Sequence, residues 1–149
     1  MHRIIMALIV LGLLAGPALA TSPAQMEANK KNVAAFYDAF FNKKDLALAK
    51  SYTGAYYKQH NPFAKDGIEG VAGFIAYMKE KMPNFQIQIL RIYADGDYVI
   101  THVWTHNGPT DRGGMAMDIF RMDSNGKVVE HWDVNQPIPE KSMNDNGMK

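Results

Sequence analysis

No cysteine occurs anywhere in the 149 residues. Disulfides, thiol nucleophiles and lipid attachment at a cysteine are therefore excluded, so an apolar core alone must hold the fold. Charge of one sign is missing too: 16 Lys and Arg stand against 15 Asp and Glu. A nucleic-acid partner needs a basic field to neutralise phosphates. The short runs Lys30-Lys31 and Lys43-Lys44 read instead as solvated helix faces. There is no H-E-x-x-H, no G-x-S-x-G and no phosphate-loop glycine spacing. Motif-borne metal, serine-hydrolase and nucleotide chemistry thus lack support, and neither a metal nor an organic cofactor is expected.

Long hydrophobic runs are also scarce. The stretch Ile4 to Ala15, 12 residues broken by Gly12, falls short of the ~20 residues that span a bilayer. It follows a basic start, His2-Arg3, and precedes Gly16-Pro17 and the small-residue site Ala18-Leu19-Ala20. That three-part pattern is a secretory signal peptide over residues 1–20, which implies a periplasmic or secreted protein with no stable membrane anchor after cleavage. Cleavage after Ala20 takes Arg3 and no acid, leaving 15 basic residues against 15 acidic ones. What is present in quantity is apolar, 47% hydrophobic against 21% charged residues, enough for one globular domain. The expected domain spans residues 21–139, followed by a polar tail, 140–149.

Periodicity divides that domain in two. Ser22-Pro23-Ala24-Gln25 has the residues of a capping box, with proline at the first helical position. Met26, Val33, Phe36, Tyr37, Phe40 and Phe41 recur at three- and four-residue spacing, predicting one amphipathic helix through Phe41. Asp45 can cap a short second helix from Leu46 to about Ser51. Tyr52 to Asn61 reads as extended or irregular. Glu69 to Lys81 forms a third helix with Val71, Phe74, Ile75 and Met78 on one side. From Phe85 the period becomes two, giving strands at 85–89, 97–104, 115–122 and 127–134. Asp95-Gly96 and Asp123-Ser124-Asn125-Gly126 mark the tight turns. Helices first, then an antiparallel sheet, is an α+β architecture.

The strands carry polar residues at positions that alternate with apolar ones. His102 and Trp104 share a face with Tyr98 and Ile100, Asp118 shares one with Phe120, and His131 shares one with Asp133. Such groups belong either to the water face or to a common cavity, because unpaired polar groups are costly in a core. Parity alone leaves both open. His60 joins the set from the segment between the second and third helices. A histidine beside a carboxylate can move protons near neutral pH, and a carboxylate in an apolar pocket can take an acidic C–H proton.

The strings Tyr57-Lys58-Gln59-His60-Asn61-Pro62, Gly67-Ile68-Glu69-Gly70, Arg91 to Asp97, Asp118-Ile119-Phe120-Arg121 and Gly126 to Asp133 together resemble the SnoaL-like branch of the nuclear transport factor 2-like superfamily, over residues 25–139. The resemblance implies a cone of three helices on a strongly curved mixed sheet enclosing a pocket, often a homodimer across the sheet's outer face. It implies cofactor-independent chemistry of the polyketide cyclase, ketosteroid isomerase or dehydratase kind. It supports His60, His102, Asp118 and His131 as pocket candidates, with Asn61 and Asp133 as supporting groups. For an enzyme, the expected catalytic residues are His60, His102, Asp118 and His131, with Asp118 or Asp133 as the base, and the expected binding residues are Asn61, Asp133, Tyr57 and Trp104. The expected function is an exported acid/base enzyme acting on a small carbonyl-containing or aromatic molecule. The alternative is a non-catalytic small-molecule binding protein of the cell envelope.

Overall fold

The computed structural model describes residues 21–149; the expected leader, residues 1–20, lies outside the described residues. Helix α1 is Pro23–Tyr37, and Ser22 Oγ caps it by accepting from the Gln25 N–H at 3.2 Å. The reciprocal half of the capping box does not form, because Gln25 Nε2 donates to Asn29 Oδ1 at 2.9 Å instead.

The helix expected to reach Phe41 changes type at its end. Asp38–Asn42 is a π-helical turn. Adjacent residues on an α-helix point about 100° apart; a wider turn changes that placement. Here Phe40 and Phe41 meet edge to face at 4.4 Å, and Phe40 also stacks on Phe36 at 5.5 Å. After a left-handed Lys44 (φ 53°), Asp45 caps helix α2, Leu46–Tyr52, by accepting from the Leu48 N–H at 3.0 Å. Helix α3 is Gly67–Lys81, opening two residues before the expected start. Its N-cap residue, Asp66, accepts at Oδ1 from the Gln59 N–H at 2.8 Å and so ties the helix to the preceding strand.

That strand, β1 (Thr53–Gln59), occupies the segment read as extended or irregular. It is joined by β2 (Phe85–Asp95), β3 (Tyr98–Asn107), β4 (Gly114–Met122) and β5 (Val128–Pro137). The order is β1-β5-β4-β3-β2, with β1 parallel to β5 and the other pairs antiparallel. The architecture is thus three helices packed on a mixed five-stranded sheet, as the sequence implied. The expected strong curvature is not there: both β1 and β2 are edges, and the sheet is neither closed nor strongly curled. Enclosure comes from helices laid over one face. Val33 and Phe36 of α1 and Ile75 and Met78 of α3 are buried with Val99, Val103 and Phe120 of the sheet.

The β2 edge is blunted from within the chain. Asn42 mimics a neighbouring strand, accepting from the Ile87 N–H at 2.9 Å and donating to the Ile87 carbonyl at 3.3 Å. Lys44 Nζ donates to the Phe85 carbonyl at 2.8 Å. An edge so covered is a poor template for pairing with another chain. Replacing Asn42 by Ala removes both bonds and leaves the backbone groups of the buried Ile87 unpaired at the sheet edge, so Asn42→Ala should lower unfolding free energy by about 1–3 kcal/mol, read from urea midpoints. An unchanged midpoint would show that solvent replaces both bonds without cost.

Candidate functional site

Strand parity decides which polar residues face the helices. In β3 the buried set is Val99, Thr101 and Val103; in β4 it includes Ala116, Asp118 and Phe120. Register places Thr101 opposite Asp118, Asp118 opposite Asp133, and Phe120 opposite His131. On the other side of β5, Gln59 of β1 pairs with His131. Gln59, Asp118, His131 and Asp133 therefore lie together on the inner face. They line one wall of a cavity of about 170 Å³, and Phe36, Phe40 and Phe74 contribute to the helical side.

His131 is held at both ring nitrogens. Gln59 Oε1 accepts from the backbone N–H of Asn61 at 2.9 Å, which fixes which end of that amide is oxygen. The same oxygen lies 3.0 Å from His131 Nδ1, so Nδ1 carries a proton and donates it. Nε2 lies 3.0 Å from Asp118 Oδ1, and one further proton is shared between those two atoms. The imidazole is layered against Phe120, with centroids 4.7 Å apart, and more loosely against Tyr57. Behind the pair, the second carboxylate oxygen, Asp118 Oδ2, is buried with no hydrogen-bond partner among the described residues. An orphaned buried acceptor costs about 1–3 kcal/mol and calls for an explanation.

Asp133 is differently placed. Asn61 Nδ2 donates to its two oxygens at 2.9 and 2.7 Å, and Asn135 Nδ2 donates to Oδ2 at 3.2 Å. Two tyrosines complete the surroundings. Burial pushes the Tyr37 hydroxyl well above the usual phenol range, and the nearby Asp118 charge adds to this; Tyr37 is hydrogen-bonded to Thr101 at 2.7 Å. Burial and then the Asp118 charge likewise raise Tyr57, while a hydrogen bond from Gln59 partly opposes them. Both remain neutral phenols. Asp118, His131 and Asp133 each offer a ligand atom within 4.8 Å of the others, a spacing a cation could use. The bonds just described account for this spacing without one, since Nε2 faces Oδ1 and Asp133 is held by amide donors.

Three expected site residues do not reach the cavity: His102 and Trp104 fall on the opposite face of β3, and His60, just past the end of β1, turns to Glu130. His60 Nε2 bonds Glu130 Oε1 at 2.8 Å, and its ring stacks on Trp132 at 4.5 Å. His102 Nδ1 accepts from the Arg91 guanidinium at 2.9 Å. Trp104 donates from Nε1 to the Arg112 carbonyl at 2.8 Å and stacks on His106. Tyr57, Asn61, Asp118, His131 and Asp133 do line the cavity. Sequence reasoning passed over Gln59 and Asn135. Each lies two residues from a named candidate, Tyr57 or Asp133, on the same strand face, and period-two counting reaches both.

A family model described as SnoaL-like domain matches residues 33–131. The chain belongs to the SnoaL-like family. Solved structures similar to this SnoaL-like chain include a candidate polyketide cyclase from Bacillus cereus, at 19% identity and TM-score 0.65, covering 80% of each chain. An epoxide hydrolase of M. tuberculosis aligns at 22% identity and TM-score 0.62, covering 75% of this chain and 85% of its own. A SnoaL-like protein of unknown function from Burkholderia thailandensis aligns at 16% identity and TM-score 0.62, covering 79% and 99%. At such identities these likenesses establish the fold. Curated proteins offer no sequence match.

The outer-face cluster around His60 has its own pH signature. The hydrogen bond from His60, then Arg121, hold the Glu130 carboxyl at about 2, below its ordinary 4.5. A depressed carboxylate contributes stability that is present above pH 4.5 and lost as pH falls through about 2. Glu130→Gln should therefore be less stable than the parent at pH 7 and should lack this part of the acid loss. Urea midpoints at pH 7, 4 and 2.5 measure it; parallel acid curves for parent and variant would refute the pairing.

Proposed function

We propose that this SnoaL-like protein is a cofactor-independent acid/base enzyme of the isomerase, cyclase or dehydratase type, acting on a small carbonyl-containing or aromatic molecule. The SnoaL-like fold, and neighbours that include a candidate polyketide cyclase, support a small-molecule role of this kind. The observation that carries the proposal is the buried His131–Asp118 pair, bonded at 3.0 Å in the cavity wall. A non-catalytic binding protein needs the cavity alone and would have no use for an orphaned carboxylate oxygen behind it.

In this reading Asp118 takes a proton from a carbon next to a carbonyl. The C–H electron pair moves toward the carbonyl oxygen, and the resulting enolate needs a hydrogen-bond donor. Tyr57 is the best candidate donor, since burial keeps its hydroxyl protonated and it lines the same cavity. His131 positions Asp118 and carries the shared proton through Nε2, so the proton removed at one carbon can be returned at another. Asp133 is the weaker base, its oxygens already engaged by Asn61 and Asn135.

The same reading includes export, with cleavage after Ala20, and a homodimer across the sheet's outer face. That face exposes Met117, Ile119 and Val134, and a second copy could cover them about a two-fold axis.

Hydrogen–deuterium exchange reads the chemistry directly. In deuterated buffer the protein should accelerate exchange of the α-hydrogens of cyclohexanone, followed by proton NMR. Asp118→Asn and His131→Gln, checked for folding by circular dichroism, should each slow it about 10²–10⁴-fold, and chelator treatment should leave it unchanged. Wild-type protein that fails to accelerate exchange would favour the binding-protein reading. Separately, native mass spectrometry of protein recovered from an extracytoplasmic fraction should give a subunit lacking residues 1–20 and a dimer that Ile119→Glu weakens at least tenfold. A full-length subunit would refute export by cleavage, and a monomer would refute the dimer.

A further inference from the structure

We infer that the cavity takes a molecule built on one ring and bearing no negative charge, seated with its polar substituent against Tyr57 and Asp118. This deepens the reading above and rests on it in taking the cavity as the ligand site.

Size is the first constraint. A dry apolar cavity of about 150 Å³ accommodates benzene, and an added water-sized group takes about 30 Å³. The cavity here is about 170 Å³, so it holds one six-membered ring and about one further heavy atom. Drug-sized ligands occupy about 300 Å³ or more. A fused second ring would have to extend out through the mouth or displace Phe36 or Phe40, which are packed on each other and buried. Phe63 borders the mouth but is 96% exposed, so it takes up no room inside.

Charge is the second. Among the described residues no lysine or arginine lines the cavity. Of the amide donors in the wall, those of Asn61 and Asn135 are given to Asp133, and that of Gln59 is neutral; both His131 nitrogens are engaged. A carboxylate on the ligand would be buried beside two protein carboxyl groups without a partner, a costly arrangement.

Orientation follows from the two walls. The helical wall presents the faces of phenylalanine rings, suited to stacking on a planar ring. Hydrogen-bonding groups stand on the sheet wall, at Tyr57, Asp118 and His131. A one-ring ligand with a single oxygen therefore has one favourable seating.

Titration of the intact mature protein with four probes tests this by NMR: phenol, cyclohex-2-enone, benzoate and 2-naphthol, with ligand contacts read as NOEs to the methyl groups of Val71 and Ala116, which line the cavity. Phenol and cyclohex-2-enone should saturate with NOEs to both residues. Benzoate and 2-naphthol should bind at least tenfold more weakly there, or only at sites without those NOEs. The inference is overturned if benzoate or 2-naphthol enters the cavity within tenfold of phenol, or if neither small neutral ring gives the NOEs. The two readings fail separately. Phenol bound without any cyclohexanone exchange removes the acid/base chemistry and leaves the size and charge limits intact. Exchange together with 2-naphthol in the cavity removes only those limits.

Discussion

The arrangement depends on one imidazole held between an amide oxygen and a carboxylate. His131 can be gripped by Gln59 on one side and Asp118 on the other only because three strands meet in a particular register. Gln59 pairs with His131 across the parallel β1–β5 ladder, and Phe120 pairs with His131 across β4–β5, which sets Asp118 two residues away on the same face. A slip of one residue in either ladder would turn the polar set to solvent and the outer set inward. Gln59 Oε1 serves two donors at once, the Asn61 N–H and His131 Nδ1. The backbone bond orients the amide, the amide sets the tautomer, and the tautomer directs the remaining proton to Asp118. Local backbone geometry thus decides a protonation state two links away.

The two faces of the sheet show what surroundings do to the same residue types. On the outer face His60 and Glu130 form a pair as short as any inside, but Arg121 and Lys58 share the carboxylate. That carboxylate is surrounded by cations and has no affinity to spare for a substrate proton. On the inner face Asp118 Oδ1 bonds His131, its other oxygen has no hydrogen-bond partner among the described residues, and Phe120 packs against the imidazole. Electrostatic interactions are weakened by solvent and strengthened by its exclusion. The inner pair is therefore the one the proposed chemistry would use, and the outer pair ties β5 to the residue that follows β1.

Much of this was legible in the sequence, and what was not has physical reasons. Alternation in β3 gives two complementary sets, and Val99-Thr101-Val103 goes inside because it is the less polar of the two; His102 and Trp104 go outside with it decided. The sequence alone could not weigh that choice, since Ile100 and Tyr98 made the other set look apolar as well. Strand β1 reads only as extended or irregular from sequence because Gly54 and Lys58 are weak strand formers, and its pairing with β5 makes it a strand. The cavity's volume was beyond reach for a different reason. It depends on how α1 ends, and a π-helical turn at Asp38–Asn42 leaves no signature in a three-and-four spacing that Phe40 and Phe41 satisfy equally well.

Fold similarity at 16–22% identity leaves chemistry open, and one scaffold hosts many reactions. What narrows the choice here is a count of protons. With Nδ1 committed to Gln59, the His131–Asp118 pair holds one mobile proton, so it can act as base or as acid in a given step but not as both. Any reaction that develops charge on a substrate oxygen while a C–H bond breaks must find its second donor elsewhere. Within the cavity wall Tyr57 offers a neutral phenol, its ionisation opposed first by burial and then by the Asp118 charge. Tyr57 and Asp118 both line the cavity, so the donor that the oxygen would need and the carboxylate that would accept the substrate's proton belong to one site.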